Sequence, residues 1–369
     1  MLVFDWLDVP FERAPVQCYG SSGTPYTRWI PTGMPQLGQY SWMLDNVFFL
    51  YHSVADALAG TAAGGTGFFV SVPSTRWGKR AHHIHAVTNW HNVCSEGCPV
   101  IRLNRRDGTA ETLDYGPEDW FFEPGGPDIA ISPSLYLDAK VFAACGVGIG
   151  SILSAEMEKT SEIGEADDVF MVGRFIDYDG GAVNRPAFRF GHISIAAAHV
   201  RQPTMHEGRS VVLDMHSRTG YSGSPVWVYR TPGSFFPNKN RIPTGHMVRL
   251  LGIHWGQFPE RWEIENDGSV KQQSAGTAVI KDKRFINGLS GMTCAIPGAE
   301  ILRLLNMDPL MKMREQAEKD TIAAGLAPSD SEPIAESESP TTPDNPRHKE
   351  DFTALLGAAA KGKSEGSGT

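Results

Sequence analysis

The chain has 369 residues, 41% hydrophobic and 20% charged, with a formal net charge of -9. It is long enough to bury a full core, and its balance fits a soluble globular protein rich in turns and strands, with 39 glycines and 25 prolines. The negative charge argues against a nucleic-acid partner, because affinity for phosphates comes mostly from lysine and arginine.

The first 13 residues, MLVFDWLDVPFER, carry Asp5 and Asp8 and no base before Arg13. They lack the charged start and apolar centre of a signal peptide, so the expected location is cytoplasmic. Residues 1–45 mix Gly, Pro, Ser and Tyr without sustained periodicity and read as an N-terminal extension lying on the main body. Short apolar runs then alternate with turn signals: GTGFFVSV (65–72), HHIHAVTN (82–89), DIAIS (128–132), DVFMVGRF (168–175), FRFGHISI (188–195), RSVVLDM (209–215), GSPVWVY (223–229), MVRLLGIHWG (247–256) and GMTCAI (291–296). Strands at this spacing predict an all-β sandwich or barrel and not a parallel α/β sheet.

Between these runs, Arg102, Arg105 and Arg106 in IRLNRRDG read as a solvated turn. The longest mostly apolar run, Val141–Leu153, falls short of the roughly 20 residues a membrane span needs and reads as a buried strand, so no membrane partner is expected. After Ile296, Pro297 stands near a helix start, with Ile301, Leu304 and Leu305 at helical spacing. Residues 309–369 read as a helix or linker followed by a disordered acidic tail, proline-rich and poor in aromatics. Within that tail, Phe352, Leu355 and Leu356 share one possible helical face, a candidate docking point for a partner, although an idle solvated tail explains the composition as well.

Five cysteines, Cys18, Cys94, Cys98, Cys145 and Cys294, show no disulfide framework and suit a reducing compartment. Cys94 and Cys98 lack a second such pair, and His82, His83 and His85 lie on alternate strand faces without a carboxylate or cysteine at ligand spacing. Neither group predicts a metal, and no cofactor is implied.

The stretch RTGYSGSPVW (218–227) carries the chemistry. Ser222 stands between Tyr221 and Gly223, with Gly220 and Pro225 nearby, and glycines around one hydroxyl point to backbone geometry that side chains forbid. A serine becomes a nucleophile when a base takes its proton, and histidine is the usual base. In AVTNWHNV an apolar strand ends in Thr-Asn and turns, which holds the His91 imidazole at a strand mouth. The imidazole in turn needs an orienting carboxylate, and Asp128 in PGGPDIAIS begins an apolar strand after a Gly-Pro turn.

In this order GTGFFV, VTNWHNV, PDIAI, GYSGSPV and LLGIHWG resemble the hallmark segments of trypsin-like (chymotrypsin-fold) serine peptidases, over roughly residues 46–308. The resemblance implies two antiparallel six-stranded β-barrels that meet near residues 150–165, with a C-terminal helix. It implies His91 as general base, Asp128 as its orienter and Ser222 as nucleophile, with the backbone N–H groups of Gly220 and Ser222 as the oxyanion hole. Losing one such donor typically costs about 3 to 4 kcal/mol of transition-state stabilisation. Tyr221 stands where digestive members carry an aspartate that pairs with a new N-terminus, so activation by that ion pair is not expected.

The resemblance also bears on specificity. Cleavage after Arg or Lys needs a carboxylate six residues before the nucleophile, and that residue is His216. GIHWG resembles the glutamyl endopeptidase branch, in which His254 and Ser217 would hold a substrate carboxylate beside Trp255 and Gly256. This implies a protein or peptide substrate cut after acidic residues at mildly acidic to neutral pH, while a purely supporting role for His254 fits the same residues. The competing reading for the whole chain is a catalytically silent peptide-binding or scaffolding module.

Overall fold

In a computed structural model, the residues described are 13–19, 25–31, 42–61, 63–178, 180–231, 247–264, 270–272 and 284–325. They belong to the first of two units, Met1–Asp330 and Ser331–Thr369. The tail with Phe352, Leu355 and Leu356 lies outside the described residues. Two strands, β1 (Arg13–Tyr19) and β2 (Pro25–Pro31), pair antiparallel by themselves.

The first large sheet contains β3 (Val47–Tyr51), β4 (Ala63–Ser74), β5 (Gly78–Thr88), β6 (Val100–Asn104), β7 (Ala110–Leu113) and β8 (Ala130–Ile131), with β9 (Val147–Gly148) parallel to β4. Its ladder order is β7-β6-β3-β4-β5-β8. Uninterrupted apolar runs suit these strands because both faces are covered. Successive residues Phe68, Phe69 and Val70 of β4 enter two hydrophobic clusters in turn, as do Phe48, Phe49, Leu50 and Tyr51 of β3. Each such side chain contributes about 1.5 to 3 kcal/mol on full burial.

The second sheet contains β10 (Asp168–Gly173), β11 (Ala187–Arg201), β12 (Glu207–Asp214), β13 (Pro225–Arg230), β14 (Met247–Ile264), β15 (Val270–Gln272) and β16 (Arg284–Pro297). Its order is β13-β10-β11-β12-β16-β14-β15, and β13 also pairs with β14. One cluster draws Phe49 and Val70 from the first sheet together with Trp227, Leu250 and Ile296 from the second, and joins the two.

The expected pair of six-stranded β-barrels is corrected by this topology to two seven-stranded sheets. The first runs open from β7 to β8, with no ladder between those ends among the described residues, and includes a parallel pairing. The second carries β15 as an added outer strand. Val141–Leu153 is likewise not one strand. Only Val147–Gly148 is extended in a ladder, followed by a single tight turn of helix at Ile149–Ser151. Arg102 departs from the solvated turn expected of it: it is fully buried, with Nε donating to Asn184 Oδ1 (2.8 Å) and its guanidinium over the Tyr51 ring.

The helices are α1 (Trp42–Asp45), α2 (Val54–Ala59), α3 (Ala155–Thr160), α4 (Gly298–Leu305) and α5 (Asp308–Ala323). Pro297 caps α4, which buries Ile301, Leu304 and Leu305 as their spacing predicts. Helix α5 was expected only as helix or linker, and its buried stripe is mixed: Leu310, Arg314 and Glu318. Glu318 accepts from Ser74 Oγ (2.6 Å) and the Thr75 N–H (2.9 Å), and so ties α5 to the β4–β5 turn. Among the described residues no helix is long and apolar enough to cross a membrane, which says nothing of a membrane β-barrel.

Candidate active site

Strand β5 ends at Thr88, and the chain enters a wide helical turn over His91–Ser95, closed by the Glu96 N–H donating to the His91 carbonyl (2.7 Å). Such wide turns are uncommon and recur at functional sites. Here the turn directs the ring of His91 towards Asp128, two residues before β8. The His91 backbone N–H donates to Asp128 Oδ1 (2.9 Å), and ring Nδ1 donates to Asp128 Oδ2 (2.6 Å). A carboxylate at Nδ1 places the neutral ring's proton there and leaves the lone pair on Nε2.

Asp128 is fully buried. Its carbonyl accepts from Asn89 Nδ2 (2.8 Å) and its N–H donates to Gln202 Oε1 (2.8 Å), so both carboxylate oxygens remain for His91. Burial disfavours the His91 imidazolium, but the hydrogen bond and charge of Asp128, with a smaller contribution from Glu96, outweigh it and raise the pKa above the usual value.

Ser222 sits in the loop before β13. Its carbonyl accepts from the Thr66 N–H (2.7 Å) and from Asn92 Nδ2 (3.0 Å), which ties the loop to the first sheet and to the neighbour of His91. The Gly220 carbonyl accepts from Thr66 Oγ1 (2.6 Å). Two glycines are obligatory here for separate reasons. Gly220 has φ +99°, the left-handed region that glycine enters at least cost. Gly223 has φ +86°, and a Cβ on it would lie 1.9 Å from the Thr66 carbonyl oxygen. Among the described residues no acceptor takes the backbone N–H of Gly220 or Ser222. No hydrogen bond joins Ser222 Oγ to His91 among the described residues either; Asn92, the neighbour of His91, makes the link through the Ser222 carbonyl.

A cavity of about 190 Å³ opens at Ser222 and is lined by Ser217, Gly220, His254 and Gly256, with Arg218 and Gln257. His216 and Trp255 do not line it. His216 is exposed near Gly291, and Trp255 donates through Nε1 to Ser210 Oγ (3.2 Å). His254 is buried, with Nδ1 facing the Tyr221 carbonyl (3.2 Å) and Nε2 facing Thr293 Oγ1 (2.5 Å). Burial, with a smaller contribution from the nearby His91 charge, lowers its pKa to about 4 against the opposing hydrogen bond to the Tyr221 carbonyl. The Tyr221 ring is fully buried, with Arg189 stacked on it at 5.6 Å and donating to its hydroxyl (3.4 Å).

Sequence reasoning did not single out Asn92, Thr66 or Gln202, which act on backbone atoms that leave no mark in a motif. Among the described residues no group of His, Cys, Asp and Glu is arranged to hold a metal ion. His83 instead faces Ser134 and Glu318, and His85 faces the Ser132 carbonyl. Cys94, Cys98, Cys145 and Cys294 form no disulfide, and burial raises the Cys98 thiol to about 11.

No family model and no curated protein matches the chain. Solved structures similar to it include the MamO protease domain from Magnetospirillum magneticum in its apo form, with 13% identity and a TM-score of 0.39, covering 73% of this chain and 100% of that one. The HtrA-type protease AlgW with a decapeptide has 14% identity and a TM-score of 0.38, over 73% of this chain and 61% of that one. The Rv3671c protease in its inactive form has 14% identity and a TM-score of 0.35, over 75% and 98%. None of these structures is named as a glutamyl endopeptidase.

Proposed function

We propose that the chain is a trypsin-like serine endopeptidase, its peptidase domain spanning residues 46–308. The observation that carries this reading is the pair of hydrogen bonds from His91 to the two oxygens of buried Asp128, with the next residue, Asn92, bonded to the Ser222 loop. In the proposed reaction His91 Nε2 takes the Ser222 hydroxyl proton as Oγ attacks the scissile carbonyl carbon. The Gly220 and Ser222 N–H groups receive the developing oxyanion, and the imidazolium, stabilised by Asp128, protonates the leaving amine. Water activated by the same imidazole then hydrolyses the acyl-enzyme and frees Ser222.

The cavity beside Ser222 would take the residue before the scissile bond. Ser217 and His254 both line it, which supports the reading that it accepts an acidic side chain. The pH window differs from the one implied by an ordinary imidazole, because a ring held near 4 is neutral across mildly acidic and neutral pH. At those pH values a carboxylate would meet a neutral ring and hydroxyls, and the full charge-assisted bond would form only in acid.

One observation favours the silent binding module, namely the lack of a hydrogen bond between Ser222 Oγ and His91. Catalytic hydrogen bonds are often long before substrate arrives, so geometry of this kind does not exclude catalysis. Treatment of the full-length protein with a fluorophosphonate probe separates the two readings. The peptidase labels at Ser222 and loses labelling in Ser222→Ala. A wild-type protein that stays unlabelled while binding peptides is the silent module.

A further inference from the structure

We propose that Gln202, at the turn between β11 and β12, is a positioning residue that holds Asp128, and through it His91, from the opposite sheet. The inference rests on the reading of His91 and Asp128 as an acid–base pair. Gln202 is 3% exposed, and its Oε1 accepts the Asp128 backbone N–H at 2.8 Å. That contact also settles the orientation of the amide, since only its oxygen can accept from an N–H.

Two more bonds tie the same turn to the same loop. Thr204 Oγ1 donates to the Gly126 carbonyl (2.8 Å), and His206 Nδ1 meets the Gly125 carbonyl (3.2 Å). The turn is itself braced, with the Gln202 N–H donating to the His206 carbonyl (2.8 Å) and the Met205 N–H to the Gln202 carbonyl (2.9 Å). Residues 125–128 form the loop that leads into β8 of the first sheet, and the turn joins two strands of the second, so the acid is held from both sheets. On the far side of the loop, Glu123 is paired with Arg303 of α4 (2.5 Å).

The clamp matters because β8, which follows Asp128, has only two residues and gives little register of its own. With the Asp128 N–H engaged by Gln202 and its carbonyl by Asn89, the carboxylate is set by the backbone to meet both donors of His91. Without the Gln202 oxygen, the buried N–H is left without an acceptor, at a cost that favours a shift of the backbone which now aims the carboxylate at His91.

The test reads the His91 ring itself and requires no turnover. In full-length protein, the pH titration of the His91 ring is followed by NMR, its signal assigned among the 12 histidines by its loss in His91→Gln. The charged and titratable groups that bear on this ring are Asp128, Glu96 and His254. Gln202→Leu removes the acceptor at similar size, and its His91 midpoint is expected to fall by about half a unit or more. Gln202→Glu keeps an acceptor oxygen and is expected to hold the midpoint at or above the wild-type value. Where Gln202→Leu does not melt cooperatively, Gln202→Asn, which withdraws the acceptor by one carbon, gives the same readout. The inference is overturned if the acceptor-deficient variant titrates within about 0.1 unit of wild type, or if Gln202→Glu falls equally far. Failure of the peptidase reading shows up separately, as absent Ser222 labelling in a protein whose His91 titration still responds to Gln202.

Discussion

Asp128→Asn tests the hydrogen-bond logic of the site most directly. In the wild type, two donors from His91, the backbone N–H at 2.9 Å and ring Nδ1 at 2.6 Å, meet two carboxylate oxygens. Asparagine offers one acceptor oxygen and one NH2 group. The backbone N–H cannot give up its proton, so the asparagine oxygen stays with it and the NH2 turns towards Nδ1. Nδ1 must then accept, the ring proton moves to Nε2, and the lone pair that would deprotonate Ser222 is lost. In the general Ser-His-Asp scheme this tautomer switch lowers kcat about ten-thousandfold, equivalent to ~5.5 kcal/mol of barrier. The charge that raises the His91 pKa is removed as well, while the burial that lowers it remains, so the ring should titrate below its ordinary value. The assays are hydrolysis of a peptide-library substrate at neutral pH, the rate of fluorophosphonate labelling, and a thermal melt to confirm folding. A folded Asp128→Asn protein that keeps more than about a tenth of wild-type activity would refute the argument.

Two further substitutions test the structure around the site. Gly223→Ala places a Cβ 1.9 Å from the Thr66 oxygen at φ +86°, and left-handed strain plus overpacking predicts a loss of about 2 to 5 kcal/mol in urea unfolding; a loss below about 1 kcal/mol would contradict the packing described. Glu318→Ala should cost about 2 to 3 kcal/mol at neutral pH through its lost charge-assisted bonds to Ser74 and Thr75. Burial opposes the Glu318 charge, but its hydrogen bonds with Ser74, His83 and Thr75 outweigh that and lower its pKa. Its stabilisation is therefore present above the unfolded value of about 4.3 and lost as pH falls through the lower folded value. The gap between wild type and Glu318→Ala should narrow on acidification, and a gap that widens would overturn the assignment.

What the sequence made legible follows from how locally each feature is encoded. Strands β4, β5 and β10–β14 stand out because their apolar runs end at turn residues, and α4 because Ile301, Leu304 and Leu305 repeat at helical spacing. Sheet closure is another matter. It depends on which distant strands pair, and the two-residue β8, the parallel β9 and the added β15 leave no local pattern that fixes those partners. Helix α5 is legible only as helix or linker because its buried stripe includes Arg314 and Glu318, whose partners, the Leu305 carbonyl and Ser74, are brought to them by the fold. His254 shows the same limit at the site. Its identity is plain in GIHWG, but its low pKa comes from burial in the folded chain, and its Nε2 partner Thr293 lies 39 positions along the chain.

The Ser222 loop shows how few freedoms remain once its backbone contacts are counted. The Ser222 carbonyl is held by Thr66 and Asn92, the Gly220 carbonyl by the Thr66 hydroxyl, and the Gly223 N–H by the His254 carbonyl (2.8 Å). These bonds engage carbonyls and the N–H that follows the serine, yet leave the two N–H groups that an oxyanion would need without an acceptor. With the main chain fixed on both sides, the principal freedom left at Ser222 is its side-chain torsion. Serine rotamers lie in staggered wells, so turning Oγ costs far less than the ~5.5 kcal/mol at stake in the base. The loop therefore concentrates its cost in the two positive-φ glycines and in the Thr66 and Asn92 contacts. It is these backbone restraints, more than the hydroxyl itself, that distinguish Ser222 from an ordinary turn serine.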